Sequence, residues 1–156
     1  MPYENAAVVT FSVESFSAAA DSMRHLFAQH WQEIANYKDE IPLDIDYEQY
    51  RTLEDRGALF FLAARKAGEL IGYSIFFLAR HPHYKSTVMA MNDVIYIKPS
   101  ERKGRTGIRL IKESELRLTK LGVKKISWHL KPQYDFSAIL TRMGYMREEI
   151  MMGKVL

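Results

Sequence analysis

The residues best suited to chemistry are concentrated in one basic segment, residues 98–111, which reads K-P-S-E-R-K-G-R-T-G-I-R-L-I. The segment follows an apolar run and precedes a helical pattern, so it is expected to open a helix. Unpaired N–H groups and the dipole at a helix N-terminus favour anions. Positive charge comes from Arg102, Lys103 and Arg105, and a hydroxyl from Thr106. Close approach to the backbone is possible at Gly104 and Gly107. These features predict a diphosphate pocket; the alternative is a solvated basic helix start.

The segment does not match two common phosphate-binding motifs. Neither G-x-x-x-x-G-K-[ST] nor G-x-G-x-x-G occurs in the chain. A nucleic-acid surface is a third interpretation, because residues 98–125 carry 10 Lys/Arg and 3 Glu, a net charge of +7. Aromatic side chains are not interleaved with these cations, and the excess charge is local rather than spread over the chain, so no nucleic-acid partner is expected.

Length and composition indicate one globular domain over residues 1–156, with 47% apolar and 26% charged residues. The chain has no cysteine, which excludes disulfides and thiol nucleophiles. We predict a cytoplasmic protein with no membrane association, because no signal peptide or spanning run is recognisable. No metal is expected, because the pair His81 and His83 offers too few ligands for a zinc site. Residues 1–57 carry a net charge of −7, from 4 Lys/Arg and 11 Asp/Glu. Asp39, Glu40, Asp44 and Asp46 are therefore expected to attract a cation.

Hydropathy and turn signals predict the elements that position the basic segment. The predicted order is strand 6–11, helix 17–36 capped by Ser17, helix 46–55, strands 58–65, 70–80 and 87–97, helix 104–121, strand 124–130, helix 135–143 and a final strand from Tyr145 onward. The buried stripe of the third helix is predicted to be Ile108, Ile111, Leu118 and Leu121. The strand–helix–strand passage over 87–130 indicates a right-handed crossover and parallel strands.

The run I-Y-I-K-P-S-E-R-K-G-R-T-G-I-R-L-I resembles the acetyl-CoA loop of the GCN5-related N-acetyltransferases, the GNAT superfamily. Arg102 and Gly107 occupy the first and last positions of the motif [R/Q]-x-x-G-x-[G/A], whereas Arg105 stands at the middle glycine and Gly104 precedes it. The element order and the ending D-F-S-A-I-L-T-R-M-G-Y also resemble the superfamily. R-K-G-R-T-G, H-W-Q-E-I and D-F-S resemble phage or prophage members, which would place the protein in a host cytoplasm.

This resemblance implies an α/β fold with a mixed, mostly antiparallel central sheet, a splayed parallel strand pair and about four flanking helices. It implies acetyl-CoA as cosubstrate, with its pantetheine arm along Val94, Ile95, Tyr96 and Ile97. Pyrophosphate contacts are carried over to residues 102–107, and Gln133, Tyr134 and Phe136 are placed beside the far end of the cofactor. The implied activity is N-acetyl transfer to a primary amine by direct attack in a ternary complex.

The catalytic candidates are a base and an acid. Asp93 is a lone acid in the apolar run A-M-N-D-V-I-Y-I, where a carboxylate can remove the amine proton; the alternative is a structural Asp. Asn92 is assigned to the opposite face of the strand, with a structural or a substrate role. The family's usual acid, a Tyr, is replaced by Leu140. Tyr134 is the candidate substitute, with a packing role as an equal alternative. A further alternative is that the thiolate leaves without an acid.

The acceptor-binding candidates are His30 and Glu33, near the end of the first helix, with a solvated helix face as the alternative for Glu33. The acceptor is a small-molecule or peptide amine, and a homodimer is compatible with the family. The missing Tyr and the displaced glycine favour a second hypothesis, a non-catalytic CoA-binding or interaction module on the same scaffold.

Overall fold

A computed structural model of the chain describes residues 7–156, which form one five-stranded sheet with helices on both faces. The strands are β1 (Val9–Val13), β2 (Leu59–Lys66), β3 (Glu69–Arg80), β4 (Val88–Ile97) and β5 (Lys125–Ser127), in the spatial order β1-β2-β3-β4-β5. All neighbours are antiparallel except β4 and β5, which are parallel. The predicted mixed, mostly antiparallel sheet with a parallel pair is therefore confirmed. The first strand lies two to three residues later than predicted, and residue 6 is outside the described range.

Four α-helices flank this sheet: α1 (Phe16–Ile34), α2 (Tyr47–Asp55), α3 (Thr106–Lys120) and α4 (Ser137–Arg142). Short 3-10 turns occupy Pro99–Glu101 and Pro132–Tyr134. The predicted cap of α1 was wrong by two residues, because Ser15 caps the helix and its side chain accepts a hydrogen bond from the Ala18 N–H. The hydroxyl of Ser17 instead donates to Glu54 at 2.8 Å.

The two faces of the sheet have separate cores. α1 packs on one face through Met23, Leu26 and Phe27, which meet Tyr73 and other side chains of the sheet. α3 packs on the opposite face, where Leu110 and Leu118 are fully buried. The predicted stripe of α3 was right at Ile111 and Leu118 and wrong at Leu121, which is 59% exposed because the helix ends one residue earlier.

A β-bulge interrupts β4 just beyond the residues that pair with β5. Ile75 faces Val94 and Phe76 faces Asn92, so Asp93 is the extra residue without a partner on β3.

β5 is shorter than the predicted strand 124–130 and pairs only with Met89–Met91. Beyond that pairing, the β4 backbone from residue 92 to residue 97 has no strand partner on its β5 side. The two strands therefore separate next to the basic segment.

The predicted final strand was wrong. Residues 145–156 contain no strand, and Met146, Ile150 and Met152 are 82–88% exposed. The sequence M-R-E-E-I-M-M lacks the period-two alternation of a half-buried strand, and the neighbouring edge strand is only three residues long. Ionic contact between Lys125 and Glu148, at 2.7 Å, holds this segment beside β5. In the described part of the chain, no helix has the length and apolarity needed to cross a membrane.

Candidate functional site

The loop between β4 and α3 presents a row of unpaired backbone donors. Gly104 adopts φ +74°, in the left-handed region, and α3 begins at Thr106 without a side-chain cap. The first N–H of this region with a backbone acceptor is that of Arg109, which donates to the Arg105 carbonyl. Within residues 7–156, no acceptor is found for the N–H groups of residues 103–108. Six free donors at a helix N-terminus form a site for an anion.

The three cations of this loop differ in their surroundings. The side chains of Lys103 and Arg105 are exposed, and neither forms an ion pair with any residue that the structure describes. Arg102 is engaged instead: its two terminal nitrogens donate to the two carboxylate oxygens of Glu33, at 2.6 and 2.7 Å. Its Nε donates to the Ile97 carbonyl, and its guanidinium lies 5.3 Å from the ring centre of Tyr96. Only Lys103 and Arg105 are free to approach an anion without breaking an existing contact.

The strand segment 94–97 presents its backbone edge to the gap between β4 and β5. Tyr96 is buried against α1, where its ring stacks on His30 with ring centres 4.6 Å apart. Ile97 is buried on the opposite face, in the core that contains α3. Val94 and Ile95 are half-buried. Two carbonyls of this segment already accept side-chain hydrogen bonds, that of Val94 from Asn92 and that of Ile97 from Arg102. The other backbone groups on the β5 side have no strand partner and can bind a ligand.

Asp93 lies at the bulge, half-buried, at the start of this gap. One carboxylate oxygen accepts a hydrogen bond from the Tyr50 hydroxyl at 2.9 Å. Burial raises the pKa of the Asp93 carboxyl above its ordinary value, while the Tyr50 hydrogen bond and the charge of His129 oppose that rise. A carboxyl with a raised pKa is a stronger base than an exposed one when it is ionised.

Two residues beside Asp93 make contacts that the sequence did not reveal. Tyr50 of α2 reaches Asp93 from 43 positions away, and its ring stacks on Phe16 at 4.4 Å. Asn92 is 1% exposed, and its side-chain amide donates to the carbonyls of Ile75 and Val94, both at 3.1 Å. The Asn92 amide thereby satisfies carbonyl groups at the bulge, which favours the structural role among the two considered for it. For the contact between Tyr50 and Asp93, the only signal in the sequence was a tyrosine within the predicted helix 46–55.

The two predicted acceptor residues have different environments. His30 is only 4% exposed, and its Nδ1 is 2.8 Å from the hydroxyl of Tyr73. Burial lowers the pKa of His30 to about 4, so the ring is neutral at physiological pH. Glu33 lies at the surface end of α1, and the hydrogen bonds from Arg102 lower the pKa of its carboxyl. The structure thus brings Glu33, but not His30, to an accessible position.

The segment after β5 reaches back to the end of α1. The hydroxyl of Tyr134 donates to the backbone carbonyl of Glu33 at 2.9 Å, and the Lys131 ammonium donates to the carbonyl of Ile34 at 2.7 Å. Phe136 packs edge-on against Trp128, with ring centres 6.2 Å apart, whereas Gln133 is exposed. These contacts attach the segment after β5 to the C-terminal end of α1 and to Trp128.

Two clefts flank the end of α1. One, of about 500 Å³, is lined by Trp31, Tyr37, Leu43, Asp44 and Lys131 among others. The other, of about 770 Å³, lies between α1 and the beginning of the basic loop, and its lining includes Gln29, Gln32, Glu33, Tyr96 and Lys98. Within residues 7–156, no three His, Asp or Glu side chains converge to hold a metal ion. Tyr96 and Lys98 connect the second cleft to the end of β4, whereas neither cleft is lined by Asp93 or by residues 102–108.

The profile of the acetyltransferase (GNAT) family matches residues 20–145 of the chain. Solved structures share the fold at low sequence identity. A ribosomal-protein-alanine N-acetyltransferase from Brucella melitensis is 18% identical, with 96% of this chain and 99% of that chain covered and a TM-score of 0.72. An aminoglycoside acetyltransferase from an uncultured soil metagenomic sample, in complex with sisomicin, is 13% identical, with 98% of both chains covered and a TM-score of 0.71.

A third similar structure is a predicted acetyltransferase from Clostridium acetobutylicum with acetyl-CoA. It is 12% identical, covers 95% of this chain and 96% of that chain, and has a TM-score of 0.71. No curated protein sequence matches the chain significantly. At these identities the structural neighbours establish the fold, and the family profile establishes the kinship.

Proposed function

The chain belongs to the acetyltransferase (GNAT) family, and from this premise we propose that it transfers an acetyl group from acetyl-CoA to a primary amine by direct attack in a ternary complex. The observation that carries the proposal is the set of unpaired N–H groups of residues 103–108, at the end of a strand that separates from its parallel neighbour. A thioester cosubstrate with a diphosphate needs both an anion site and an open strand edge.

The residues present fit such a cosubstrate. The diphosphate would be held by the free N–H groups of residues 103–108, with charge from Lys103, Arg105 and, after it leaves Glu33, Arg102. A Cβ at position 107 would meet only the Ile97 side chain, at 3.9 Å, so there is room above the backbone of Gly107. The pantetheine arm would bind the edge of residues 94–97, and Gln133 and Phe136 would border its far end.

The residues of the gap can supply the proton chemistry. When bound, acetyl-CoA supplies the thioester carbon. The Asp93 carboxylate takes one proton from the acceptor ammonium, and the neutral nitrogen attacks the thioester carbon to form the C–N bond. As the C–S bond breaks, the nitrogen loses its second proton to water or to the departing sulfur, which leaves the neutral amide. Backbone N–H groups at the open edge of β4 donate to the carbonyl oxygen as it gains negative charge. Tyr134 could protonate the leaving sulfur only after its hydroxyl leaves the Glu33 carbonyl; departure of the thiolate without an acid needs no such movement.

The acceptor is proposed to be a positively charged small molecule or peptide amine. Two structural neighbours are named as an aminoglycoside and a ribosomal-protein-alanine acetyltransferase, so both acceptor types occur on this fold. Here the cleft beside Trp31 also contains Asp44, and Glu33 borders the second cleft. We do not extend acceptor contact to His30, because its ring is buried against Tyr73 and Tyr96.

Calorimetry with acetyl-CoA and with CoA, followed by a panel of aminoglycosides, polyamines and peptide N-termini, tests this proposal. We expect saturable binding of both cofactors, turnover of at least one amine, and loss of turnover with retained CoA binding in Asp93→Ala. Absence of CoA binding by the folded wild-type protein would overturn it.

A non-catalytic CoA-binding module is the second candidate. Leu140 stands where the family's usual acid is found and is 5% exposed in the core, and the hydroxyl of Tyr134 is already hydrogen-bonded. This alternative predicts CoA binding in calorimetry without turnover of any amine on the panel, and no functional effect of Asp93→Ala.

A further inference from the structure

We infer that Glu33 is an internal counter-ion that competes with the CoA phosphates for Arg102, so that the charge of the cleft beside α1 depends on whether CoA is bound. The inference rests on the proposed function, because it requires a phosphate ligand in the loop after β4. In this inference Glu33 does not contact the cofactor. Through Arg102, Glu33 links the cofactor loop to the acceptor side of the molecule.

The Arg102–Glu33 pair is well formed but accessible. Both carboxylate oxygens accept from the guanidinium, at 2.6 and 2.7 Å, and the third donor, Nε, is bound to the Ile97 carbonyl at 2.8 Å. The side chains of Arg102 and Glu33 are nevertheless 41% and 21% exposed, so a ligand can reach the pair from solvent. An ion pair with this much exposure contributes little net stability, since water already screens it.

The position of Arg102 makes an exchange of partners favourable. It immediately precedes the six free N–H groups of residues 103–108. A diphosphate bound to those donors brings at least two negative charges within reach of the long Arg side chain, against the single charge of Glu33. Arginine also binds phosphate oxygens with the same two-pronged geometry that it uses for carboxylates. The guanidinium can therefore move to the phosphates while its Nε bond to the strand end persists.

Departure of Arg102 changes the second cleft. Glu33 borders the cleft of about 770 Å³, together with Gln29, Gln32 and Tyr96. The neighbouring cation Lys98 pairs with Glu69, and Lys131 donates to the backbone of Ile34, so neither of these replaces Arg102. The cleft then carries an uncompensated carboxylate. By linkage, a cation in the cleft and CoA in the loop strengthen each other's binding.

The affinity for CoA, measured by calorimetry, tests the first half of the inference. Glu33→Gln removes the competitor and is expected to tighten CoA binding by about two- to fivefold, the range of an exposed ion pair. Glu101→Gln is the matched control: it removes an acid from the same loop and frees Lys66, its partner at 2.9 Å, without contacting Arg102. A control effect as large as that of Glu33→Gln, or weaker CoA binding by Glu33→Gln, overturns the inference.

A double-mutant cycle separates competition from a simple change of charge. Arg102→Gln should weaken CoA binding more in the Glu33→Gln background than in the wild type, because only there is Arg102 unopposed. Additive effects contradict the inference. If the wild-type protein binds no CoA at all, the proposed function fails first, and the two failures are thereby distinguished.

Putrescine, a simple dication, tests the second half by an NMR titration with and without saturating CoA. We expect CoA to raise putrescine affinity at least about twofold in the wild type, and less in Glu33→Gln, where the only remaining attraction comes from CoA itself. Equal enhancement in the two proteins would show that Glu33 is not the group that CoA releases.

Discussion

At the residue scale, Asp93 is in an unfavourable position for a purely structural acid. It sits at a bulge, its carboxyl is half-buried, and a single hydroxyl, that of Tyr50, donates to it. Burial of a carboxylate with few donors raises its pKa, and ionising that carboxyl lowers the stability of the folded protein. Groups held in such conditions are more often retained for chemistry than for stability, which favours the catalytic assignment.

Asp93→Asn is therefore expected to raise the melting temperature while abolishing turnover. Because the folded-state pKa of Asp93 lies above its unfolded value, the folded protein loses stability as the pH rises through that interval and remains less stable at neutral pH. The amide removes this cost, so the melting temperature is expected to rise. Thermal unfolding at pH 7 measures it, and a lower melting temperature would support the structural role instead.

Tyr50→Phe is expected to move the acid limb of the pH–rate profile to higher pH. The Tyr50 hydroxyl hydrogen-bonds the charged carboxylate and lowers the pKa of Asp93, so its removal lets burial raise that pKa further. The pH dependence of kcat/KM reports the shift in the free enzyme. Tyr47→Phe, on the same helix and without a bond to Asp93, should leave the limb in place. Equal pH–rate profiles for the two variants would show that Tyr50 does not influence the pKa of the catalytic base.

Gly104→Val is expected to weaken CoA binding more than Arg105→Ala. Gly104 has φ +74°, where a side chain costs about 1–2 kcal/mol and a β-branched one more, whereas Arg105 has an ordinary φ of −109°. Losing the loop conformation misplaces the free N–H groups, which corresponds to a loss of about tenfold or more in affinity. Calorimetry with CoA compares the two variants; the reverse order would mean that the motif is aligned wrongly over residues 102–107.

At the element scale, the close approach of β3 and β4 beside the loop depends on one glycine. A Cβ on Gly72 would lie 2.6 Å from the Tyr96 carbonyl oxygen and 2.9 Å from the Ile97 side chain. Because Gly72 faces Ile97 in the strand register, any side chain there would push away the end of β4 that carries the cofactor edge.

Gly72→Ala is accordingly expected to lower the free energy of unfolding by about 1–3 kcal/mol, the range for overpacking in a core. Urea denaturation measures this loss. Gly153→Ala, with no heavy atom within 4 Å of the added Cβ, is the matched control and should change stability little. A comparable loss in both variants would point to a general effect of replacing glycine.

A second element-scale contact joins α1 to α2. The Glu54 carboxylate of α2 accepts hydrogen bonds from the backbone N–H groups of Phe16 and Ser17, at 2.5 and 3.3 Å, in the first turn of α1. A negative charge at this position also complements the helix dipole. α1 is thus oriented at its beginning by α2 and at its end by Tyr134 and Lys131, and Glu33 at this end borders the second cleft.

At the scale of the whole molecule, charge is divided between the two sides of the site. The basic loop lies at the start of α3, whereas acids cluster in the connection between α1 and α2. Asp46 has a structural role there, since it caps α2 by accepting from the Gln49 N–H at 2.8 Å. The remaining acids of that connection, Asp39, Glu40 and Asp44, are exposed.

Neutralising these three acids with Asn or Gln is expected to raise the KM of a cationic acceptor several-fold and to leave CoA affinity unchanged. The reason is that exposed charges steer a ligand of opposite sign through the long-range field. Steady-state kinetics at low and high salt measures the effect, which should shrink as salt screens the field. Unchanged acceptor KM would exclude a steering role for the connection.

Local pattern was sufficient for the elements that carry strong hydrophobic periodicity or a glycine stop. The strands at 59–66, 69–80 and 88–97 lie within one or two residues of the predicted positions, and α2 within one residue. Weak patterns gave errors: the predicted strand at 124–130 keeps only three residues, and the segment from Tyr145 onward forms none. An edge strand depends on its neighbour for hydrogen bonds, and neighbours are not visible in a linear pattern.

The sequence by itself determined the basic, glycine-containing loop and its place between a strand and a helix, because those properties are local to residues 98–111. Only the tertiary structure decided the partners of its charges. Arg102 contacts Glu33 across 69 positions of the sequence, and Asp93 contacts Tyr50 across 43. His30, near the end of α1, is buried in the core. Such contacts depend on how the helices pack on the sheet, and packing is set by the burial of whole faces rather than by any single residue.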